Sequence, residues 1–412
     1  VDADGNPVDK GGGLVSVKIT NLTYLNDKSV HYYLDGKKID SAKLKDAIPL
    51  QQGTHEIVAK RGNDVLERRE IRVASEHQGK DVMAFVPDGK GEVGEIWTIA
   101  EPDHVAGRGV TVPPQGDWVL AAWSTKSEHY LTLWDLETRQ KIFEREKIRA
   151  FRPMFCGKDR LAAWGSSNEE KREVHVWVYD LDNPRLWKDD FGSPILPHGP
   201  MGPTWIHLNR SASVVSMGIL YPVGQSTSYV AWRRGDQKVI DAPPIPHQPV
   251  FSYDQAGVVS IDGDYLFVAA GNVILMHSLR EGNLKQIGTL KGRTGMISCM
   301  NVSADGKLIA AGTIAPANSV RVWSIAERDK DPSHFPGHVA RITSVQFSED
   351  ASRLLTASED ETVRVWNVKN GEAIYTMPKQ GQSVVDACFT PGGRRCVFQL
   401  ADGTIKLWQL PK

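Results

Sequence analysis

A short segment that recurs near the C-terminal end of the chain constrains the fold more than any other feature. Each copy alternates aliphatic residues with one Arg or Lys and then reaches a tryptophan; the copies are Val320–Ile325, Val363–Val368 and Ile405–Leu410. A strand–turn–strand pattern precedes each copy, at Val302–Gly306, Phe347–Asp350 and Phe389–Gly393. Self-similarity at a fixed period indicates one supersecondary unit used repeatedly.

Weaker copies of the same segment extend toward the N-terminus. The seven corresponding positions are 134, 179, 232, 277, 323, 366 and 408. The composition agrees with a β-rich repeat, because 37 Gly, 23 Pro and 12 Trp accompany short β-branched and aromatic runs separated by turn residues. The sequence therefore predicts an all-β protein built from seven units.

This pattern resembles the WD40 repeat, whose units of about 40–45 residues each form one four-stranded blade of a β-propeller. The resemblance covers residues 94–412 and implies a ring of seven blades, which would hide the sheet edges. The sixth unit carries the full family signature of Gly337-His338, Thr356, Asp360 and Trp366. The resemblance implies that these side chains form a buried hydrogen-bond chain, which would satisfy the imidazole and the indole N–H.

Other units depart from this signature. Arg293 and Gln382 are assigned to the position of the signature histidine, and His277 and Tyr179 to that of the tryptophan. We expect those units to depend on apolar packing alone.

The end of the chain predicts how the ring closes. The seventh unit ends at Ile405–Leu410, so no sequence follows that could form its outer strand. Residues 94–100 are an unassigned segment with strand character, and we expect them to pair with that unit and close the propeller. An unpaired strand there would leave its backbone N–H and C=O groups exposed.

A second resemblance precedes the repeats. Val30–Ile39 reads as a hairpin around Asp35-Gly36, and Gly53–Ala59 and Glu70–Val73 read as further strands. This pattern looks like a PEGA domain, a small β-sandwich, whose characteristic run is degenerate here as Leu50–His55. We therefore expect a disordered segment at residues 1–13, a PEGA-like domain at 14–74 and a linker at 75–93.

The PEGA resemblance also suggests a setting for the chain. PEGA-like units followed by WD40 propellers resemble the C-terminal regions of large bacterial proteins, including membrane-anchored Ser/Thr kinases. The chain begins at Val1 with neither Met nor a leader, so we expect a cut point in a longer or processed protein. Two locations are compatible with this interpretation. The chain is either cytoplasmic, or tethered at a bacterial cell envelope through sequence upstream of residue 1.

Charge and composition argue against several functions. The 49 Lys and Arg against 50 Asp and Glu give a net charge of −1, which disfavours nucleic-acid binding. Apolar runs such as Trp118–Trp123 are far too short to span a bilayer. The four cysteines form no C-x-x-C, and counting from the turn at 390–394 places Cys388 and Cys396 on opposite faces of a hairpin. No histidine spacing predicts a metal site, and no motif predicts a cofactor.

Two kinase-like motifs occur without the rest of a kinase. Gly89, Gly91 and Gly94 have the spacing of a phosphate-binding loop, and Asp190-Phe191-Gly192 matches a metal-binding triplet. No H-R-D occurs, so we interpret both as coincidences in Gly-rich connections. Asp2–Asn6 similarly reads as a solvated turn rather than a calcium loop.

Binding is expected on the loops that a rigid scaffold displays. In the WD40 family, partners often dock on loops before the innermost strand and between the second and third strands. The matching residues are Met296, Arg341 and Glu359, for which ordinary exposed loop residues are the alternative interpretation. The inserted loops are the other candidate contact surfaces: Gly165–Arg172, Tyr221–Thr227 and Thr313–Asn318.

Two functional hypotheses follow. The first is a monomeric, non-enzymatic scaffold whose propeller binds a protein or peptide and which needs no cofactor. The second is a hydrolase or oxidoreductase that uses the central funnel of a propeller. The second requires ionisable residues converging in that funnel, and no nucleophile motif, metal set or cofactor motif points to it.

Overall fold

The computed structural model describes the chain in segments, which are nearly continuous from residue 257 onward. The described residues are 14–20, 29–62, 64–73, 80–85, 93–100, 106–113, 118–125, 129–136, 138–146, 154–156, 160–166, 174–180, 187–188, 203–208, 214–220, 227–233, 240–241, 257–280, 284–292, 295–314 and 316–411. Several sequence predictions lie outside them: the segment 1–13, the triplet Asp190-Phe191-Gly192, Arg293, and most of the loops Gly165–Arg172 and Tyr221–Thr227. The chain divides into two compact units, Val1–Trp97 with Asp135–Gln140, and Thr98–Trp134 with Lys141–Lys412.

The N-terminal unit contains one seven-stranded sheet in the order β3-β2-β5-β6-β7-β1-β4. Its strands are β1 (Val15–Thr20), β2 (His31–Leu34), β3 (Lys37–Ile39), β4 (Ala47–Leu50), β5 (Gly53–Arg61), β6 (Asp64–Val73) and β7 (Lys80–Phe85). A short 3-10 helix at Lys43–Lys45 precedes β4. Strand β1 pairs antiparallel with β4 and parallel with β7.

One hydrophobic core stabilises this sheet. Val17 of β1, Tyr32 of β2 and Ile57 of β5 are buried in the same cluster, together with Leu44 of the 3-10 helix. The predicted hairpin around Asp35-Gly36 is present as β2 and β3. Its turn is fixed because the Asp35 carboxylate accepts hydrogen bonds from the Glu56 backbone N–H and the His55 ring.

The linker predicted for residues 75–93 is wrong over residues 80–85. Those residues form β7, which lies between β6 and β1 in the sheet. Their sequence, Lys-Asp-Val-Met-Ala-Phe, has only a short apolar run after two charged residues, which is a weak strand signal. The pairing of β7 with β1 joins residues more than 60 positions apart, and short-range patterns do not report such contacts.

The remaining strands form seven four-stranded sheets, numbered here in chain order. Six of them are continuous in sequence. The first has β9 (Ala106–Thr111), β10 (Trp118–Ser124), β11 (His129–Asp135) and β12 (Lys141–Glu146); the second has β13 (Met154–Cys156), β14 (Arg160–Ser166), β15 (Val174–Asp180) and β16 (Trp187–Lys188); the third has β17 (Pro203–Leu208), β18 (Val214–Leu220), β19 (Thr227–Arg233) and β20 (Ile240–Asp241). The fourth has β21 (Gly257–Val259), β22 (Tyr265–Ala270), β23 (Val273–Ser278) and β24 (Lys285–Leu290); the fifth has β25 (Ile297–Val302), β26 (Leu308–Thr313), β27 (Val320–Ser324) and β28 (Ser333–Phe335); the sixth has β29 (Ile342–Phe347), β30 (Arg353–Ser358), β31 (Val363–Asn367) and β32 (Ala373–Thr376).

The seventh sheet combines three C-terminal strands with one from much earlier in the chain. Its order is β33 (Val384–Phe389), β34 (Arg395–Leu400), β35 (Ile405–Gln409) and β8 (Gly94–Ile99). A 3-10 turn at Pro391–Gly393 joins β33 to β34. The register places Cys388 opposite Val397 and Phe389 opposite Cys396, as predicted, and both cysteines are free and buried. The all-β prediction is confirmed, with these two 3-10 helices as the helical elements among the described residues.

Consecutive sheets share hydrophobic cores. Trp323 of the fifth sheet packs with residues of the fourth, and Trp366 of the sixth packs with Val322 and Phe335 of the fifth. Trp408 of the seventh sheet packs with Leu355 of the sixth. Each tryptophan of the repeated segment therefore lies in a core that two sheets share. Burying so large a side chain is worth several kcal/mol.

Hydrogen bonds between innermost strands also connect the sheets. In each, a side chain on one inner strand accepts a bond from a backbone N–H of the next. His207 Nδ1 accepts from Val259 (3.2 Å), Asn301 Oδ1 from Phe347 (3.1 Å), Gln346 Oε1 from Phe389 (2.6 Å) and Asp386 Oδ2 from Val110 (3.2 Å). The last of these joins the seventh sheet to the first.

A buried glutamine strengthens the contact between the seventh and first sheets. Gln399 of β34 is fully buried, and its Oε1 accepts a hydrogen bond from the Gly109 N–H at 2.8 Å. Its Nε2 donates to Ala122 O at 3.2 Å and lies 3.5 Å from Gly403 O. The first sheet approaches so closely here that a Cβ on Gly107 would lie 2.5 Å from Leu400 O.

Candidate functional site

The described residues bring the four signature side chains of the sixth sheet together. His338 Nδ1 lies 2.7 Å from Asp360 Oδ2, and its Nε2 lies 2.8 Å from Thr356 Oγ1. The Thr356 hydroxyl also accepts a hydrogen bond from Trp366 Nε1 at 2.9 Å. All four residues are buried. The chain runs from the indole in the core to the carboxylate at the end of the sheet.

The donors and acceptors fix the protonation of this chain. The Thr356 oxygen accepts from the indole, so its own hydrogen is available for His338 Nε2, and Nδ1–H then donates to Asp360. Burial lowers the pKa of His338 more than Asp360 raises it. Burial opposes ionisation of Asp360, but hydrogen bonds from His338 and Thr362 outweigh it and hold the pKa of the carboxyl well below its usual value. The pair is therefore a neutral imidazole beside a carboxylate.

The same chain holds the loop that precedes β29. Asp360 Oδ2 accepts a hydrogen bond from the Val339 N–H at 3.1 Å. Ser358 Oγ donates to Arg341 O at 2.9 Å, and the Glu359 N–H donates to the same oxygen at 3.0 Å. Gly337 begins this loop at φ +149, and a Cβ there would clash with the Arg364 guanidinium. The buried chain thus fixes the backbone of an exposed loop.

The predicted binding residues lie at this end of the fifth and sixth sheets. Arg341 and Glu359 lie together, with Nη1 and Oε1 3.6 Å apart on a partly exposed surface. Met296 occupies the corresponding turn before β25 and is 38% exposed. Ser298 Oγ donates to Ile342 O at 2.5 Å, which connects the starts of the two inner strands. The structure thus pairs two of the three residues and puts the third in the neighbouring sheet.

Sequence reasoning missed the most exposed apolar residue of this loop. Val339 is 76% exposed, and its carbonyl accepts a hydrogen bond from Asn318 Nδ2 at 3.1 Å. Asn318 belongs to the predicted inserted loop of the fifth sheet, so the two loops lie in contact. A valine directly after the signature histidine was the available signal. We refer to Met296, Val339, Arg341 and Glu359 as the rim surface.

The seventh sheet shows what replaces the signature. Its register aligns Phe389 with Phe347, so Gln380 occupies the place of His338, and the assignment to Gln382 is wrong. Phe398 occupies the position that corresponds to Thr356, and the centroids of the Phe398 and Trp408 rings lie 6.2 Å apart. The Trp408 Nε1 is buried and has no hydrogen-bond partner among the described residues. Apolar packing has taken the place of the polar chain here, as expected.

The tryptophan position of the repeat differs again in the fifth, fourth and second sheets. Trp323 Nε1 of the fifth donates to Lys291 O at 2.9 Å. His277 of the fourth occupies the tryptophan position and is buried, and burial lowers its pKa to about 4. Tyr179 pairs with Leu161 and Trp187 in the second sheet.

In the described part of the chain, no group of three His, Cys, Asp or Glu side chains is placed to hold a metal ion. Among the same residues, no helix is long and apolar enough to cross a membrane.

Comparison with known proteins agrees with this geometry. The family model for the WD domain, G-beta repeat, matches residues 284–324 and 330–367. These residues run from β24 to β31, so they contain the whole fifth sheet and the first three strands of the sixth. The chain therefore contains WD40 repeats, and that part of the predicted resemblance is confirmed.

Relatives with established names cover limited parts of the chain. It is 28% identical over 180 residues to the SIR4-interacting protein SIF2 of Saccharomyces cerevisiae, covering 39% of this chain and 32% of that protein. It is 25% identical over 113 residues to a periodic tryptophan protein 2 homolog of Neurospora crassa, covering 27% of this chain and 12% of that protein. It is 36% identical over 111 residues to mouse apoptotic protease-activating factor 1, covering 27% and 8%. The chain spans about a third or less of the length of these relatives, and all three are eukaryotic.

Proposed function

We propose that this chain is a non-enzymatic scaffold that binds a protein or peptide partner through the rim surface. One observation carries the proposal: Val339, 76% exposed, stands on a loop whose backbone is held by a buried hydrogen-bond chain. An exposed apolar side chain on a fixed backbone can bind a partner without the entropy cost of ordering a loop. Proteins with WD40 repeats typically act as protein-interaction scaffolds.

The surroundings of Val339 suit protein recognition. Met296 adds a second exposed apolar side chain from the fifth sheet, and Arg341 and Glu359 add charge on the loops of the sixth. Methionine and arginine are enriched where proteins meet, and a polar rim around an apolar centre is usual for such surfaces. Partners on this surface would be proteins or peptides rather than nucleic acids, since the net charge is −1.

The architecture that displays this surface is, in our proposal, a closed seven-bladed propeller that acts as a monomer. Contacts between the seventh and first sheets through Gln399 and Asp386 support closure. The position of β8 last in the order of the seventh sheet supports its role as the closing strand. Deleting residues 1–92, which removes the whole N-terminal sheet including β7, should leave a folded monomer, whereas deleting residues 1–101 should cause marked destabilisation or aggregation. Equal melting temperatures for two stable monomers would reject this closing role.

The N-terminal unit belongs to the proposal as a PEGA-like spacer. Its strands share one core with Val17, Tyr32 and Ile57, as in a small β domain, but they form one continuous sheet and not the two sheets of a sandwich. A place in a larger bacterial signalling protein rests on the PEGA resemblance alone. The kinase-like motifs give no reason to expect catalysis, so incubation with labelled ATP and generic substrates should give no phosphate transfer above a blank.

Affinity purification with matched variants tests the binding function. The bait is the full chain, presented to lysate of its source, and specific partners are then produced and measured in purified form. Val339→Ser and Met296→Ser should each weaken binding at least tenfold, because each removes an exposed apolar contact. Ile142→Ser removes a similarly exposed side chain from β12 of the first sheet and should leave binding unchanged. Purified partners that bind all three variants like the wild type would show that the rim surface is not the binding site.

A further inference from the structure

A cleft lies at the opposite end of the sixth sheet from the rim surface. It has a volume of about 420 Å³ and lies between the β29–β30 turn and the β31–β32 turn. Arg353 and Lys369 stand on its walls, and Ala351, Val368 and Ile374 contribute apolar surface. Clefts of a few hundred Å³ are large enough to hold one or a few side chains of a ligand. We call this feature the basic cleft.

Both walls of the basic cleft are fixed by hydrogen bonds. In the first turn, Asp350 accepts bonds from the hydroxyls of Ser348 (2.6 Å) and Ser352 (2.7 Å). In the second turn, Asn367 Oδ1 accepts from the Lys369 N–H at 2.9 Å. The Val368 N–H donates to Ser352 O at 3.0 Å and joins the two turns. A ligand would therefore meet a preformed surface.

The charged side chains that line the cleft are cationic. Its lining includes two cationic side chains and no Asp or Glu. Arg353 Nη1 donates a hydrogen bond to Pro411 O at 3.4 Å. Neither Arg353 nor Lys369 forms an ion pair with any residue that the structure describes. The nearby Asp350 is ionised, since hydrogen bonds from Ser348 and Ser352 lower its pKa to about 2, but these hydroxyls occupy its oxygens. Glu372 Oε2 similarly accepts a hydrogen bond from Asn370 at 2.6 Å. Two cations that have no ion-pair partner at the edge of a cleft can contact an anionic group directly.

Apolar residues decide what kind of anion fits. Ile374 is 38% exposed on the outer strand β32, and Val368 is half-buried beside it. A small inorganic anion would leave this apolar surface in water, whereas a peptide can cover it with an aliphatic side chain. Removing that surface from water also strengthens the charge contact next to it.

We propose that the basic cleft is a second binding site, which takes an acidic peptide segment of a partner protein. A side-chain carboxylate of the peptide contacts Arg353 and Lys369, and an adjacent aliphatic side chain covers Val368 and Ile374. The site is separate from the rim surface, so the chain can hold two partners at opposite ends of one sheet.

A peptide library provides the test. The probe is a positional-scanning set of fluorescent, end-capped hexapeptides, whose binding to the full chain is measured by anisotropy at 50 mM and 300 mM NaCl. We expect enrichment of Asp or Glu next to Leu, Ile or Val, with weaker binding at the higher salt. A parallel set with a free C-terminal carboxylate and no acidic side chain shows whether a chain terminus can supply the charge. Preference for that second set would contradict the side-chain assignment.

Matched charge reversals locate the site. Arg353→Glu with Lys369→Glu should weaken binding of the selected peptide at least tenfold, whereas Lys307→Glu with Lys330→Glu, on exposed turns of the fifth sheet, should change it less than twofold. Val339→Ser should leave this peptide unaffected, which separates the result from the fate of the rim surface. A library without acidic preference, or equal effects of the two double reversals on folded protein, would overturn the proposal.

Discussion

Several buried polar groups of the sixth sheet depend on hydrogen bonds that His338 forms. Its ring bonds both Thr356 and Asp360, and the Thr356 hydroxyl in turn serves Trp366. A change at His338 therefore affects groups on three strands or turns. The side chain of the matching residue of the seventh sheet, Gln380, donates to the nearby Pro378 carbonyl and joins no such chain among the described residues.

We predict different costs for the two alanine substitutions. His338→Ala removes one buried hydrogen-bond partner from the Thr356 hydroxyl and one from the Asp360 carboxylate, which should lower the free energy of unfolding by about 1–3 kcal/mol. Gln380→Ala should cost less than about 1 kcal/mol. Urea denaturation of both variants measures the difference, and equal midpoint shifts would mean that the chain does not contribute to stability.

His277 should make stability depend on pH. Its pKa is about 4 in the folded chain, because burial disfavours the charged ring, and about 6.5 when unfolded. The unfolded state therefore binds a proton between these values and the folded state does not. The contribution is fully present above pH 6.5 and is lost as the pH falls toward 4. Between pH 7 and pH 5 the loss should be about 2 kcal/mol.

The variant His277→Phe isolates this contribution, because phenylalanine keeps an aromatic ring but cannot titrate. Its free energy of unfolding should fall less between pH 7 and pH 5 than that of the wild type, by the same 2 kcal/mol or so. Urea midpoints at the two pH values provide the measurement. Parallel pH profiles for the two proteins would show that His277 does not titrate in this range.

At the scale of elements, one turn recurs between the first and second strands of three sheets. A serine hydroxyl donates to the aspartate two residues later and accepts the backbone N–H five residues later. The residue after the aspartate adopts positive φ: Gly263 (+76), Gly306 (+70) and Ala351 (+57). Glycine accepts this conformation without strain, whereas alanine does not.

The turns of the fifth and sixth sheets should respond unequally to glycine–alanine exchange. Gly306→Ala places a Cβ in open space but in a strained conformation, so it should cost about 1 kcal/mol. Ala351→Gly relieves that strain but loses a methyl that packs against the core between the fifth and sixth sheets, so it should change stability by less than about 0.5 kcal/mol. Thermal denaturation of the two variants distinguishes them, and a larger effect for Ala351→Gly would contradict this account.

Local signals predicted the elements well and their partners poorly. The spacing of Trp323, Trp366 and Trp408 located three sheets, because a repeat is written in consecutive residues. The sequence prediction put Gln382, instead of Gln380, at the position of the signature histidine. The number of residues between this position and β33 fixes the alignment, and residue type alone does not show that number. Strand β7 and the burial of Gln399 could not be read from the sequence, since both depend on residues far away in the chain. The rim surface was found in part, because resemblance indicated the loops but not which side chains are exposed.

At the scale of the whole molecule, Gln399 should be the most sensitive point of contact between the first and last sheets. Gln399→Leu keeps a similar volume but leaves the Gly109 N–H and Ala122 O without their buried partner. We expect a loss of about 2–4 kcal/mol. The control Gln409→Leu removes bonds to Arg394 O and Leu410 O on a less buried strand end and should cost less than about 1 kcal/mol. Urea unfolding of the two variants decides the matter, and equal small effects would show that Gln399 does not hold the first and last sheets together.

The hydrogen bonds between innermost strands have a consequence for how such a protein can be rearranged. The acceptor is a histidine in the third sheet, an asparagine in the fifth, a glutamine in the sixth and an aspartate in the seventh, and each reaches a particular amide of the sheet that follows. These side chains differ in length and charge, so no junction can substitute for another. Exchanging or duplicating single sheets by recombination would therefore break the junctions on both sides of the exchanged sheet, even where the repeated tryptophan segment is nearly identical. A functional shuffled variant would have to carry each acceptor together with the amide that it serves, so the transferable unit of this protein is the junction.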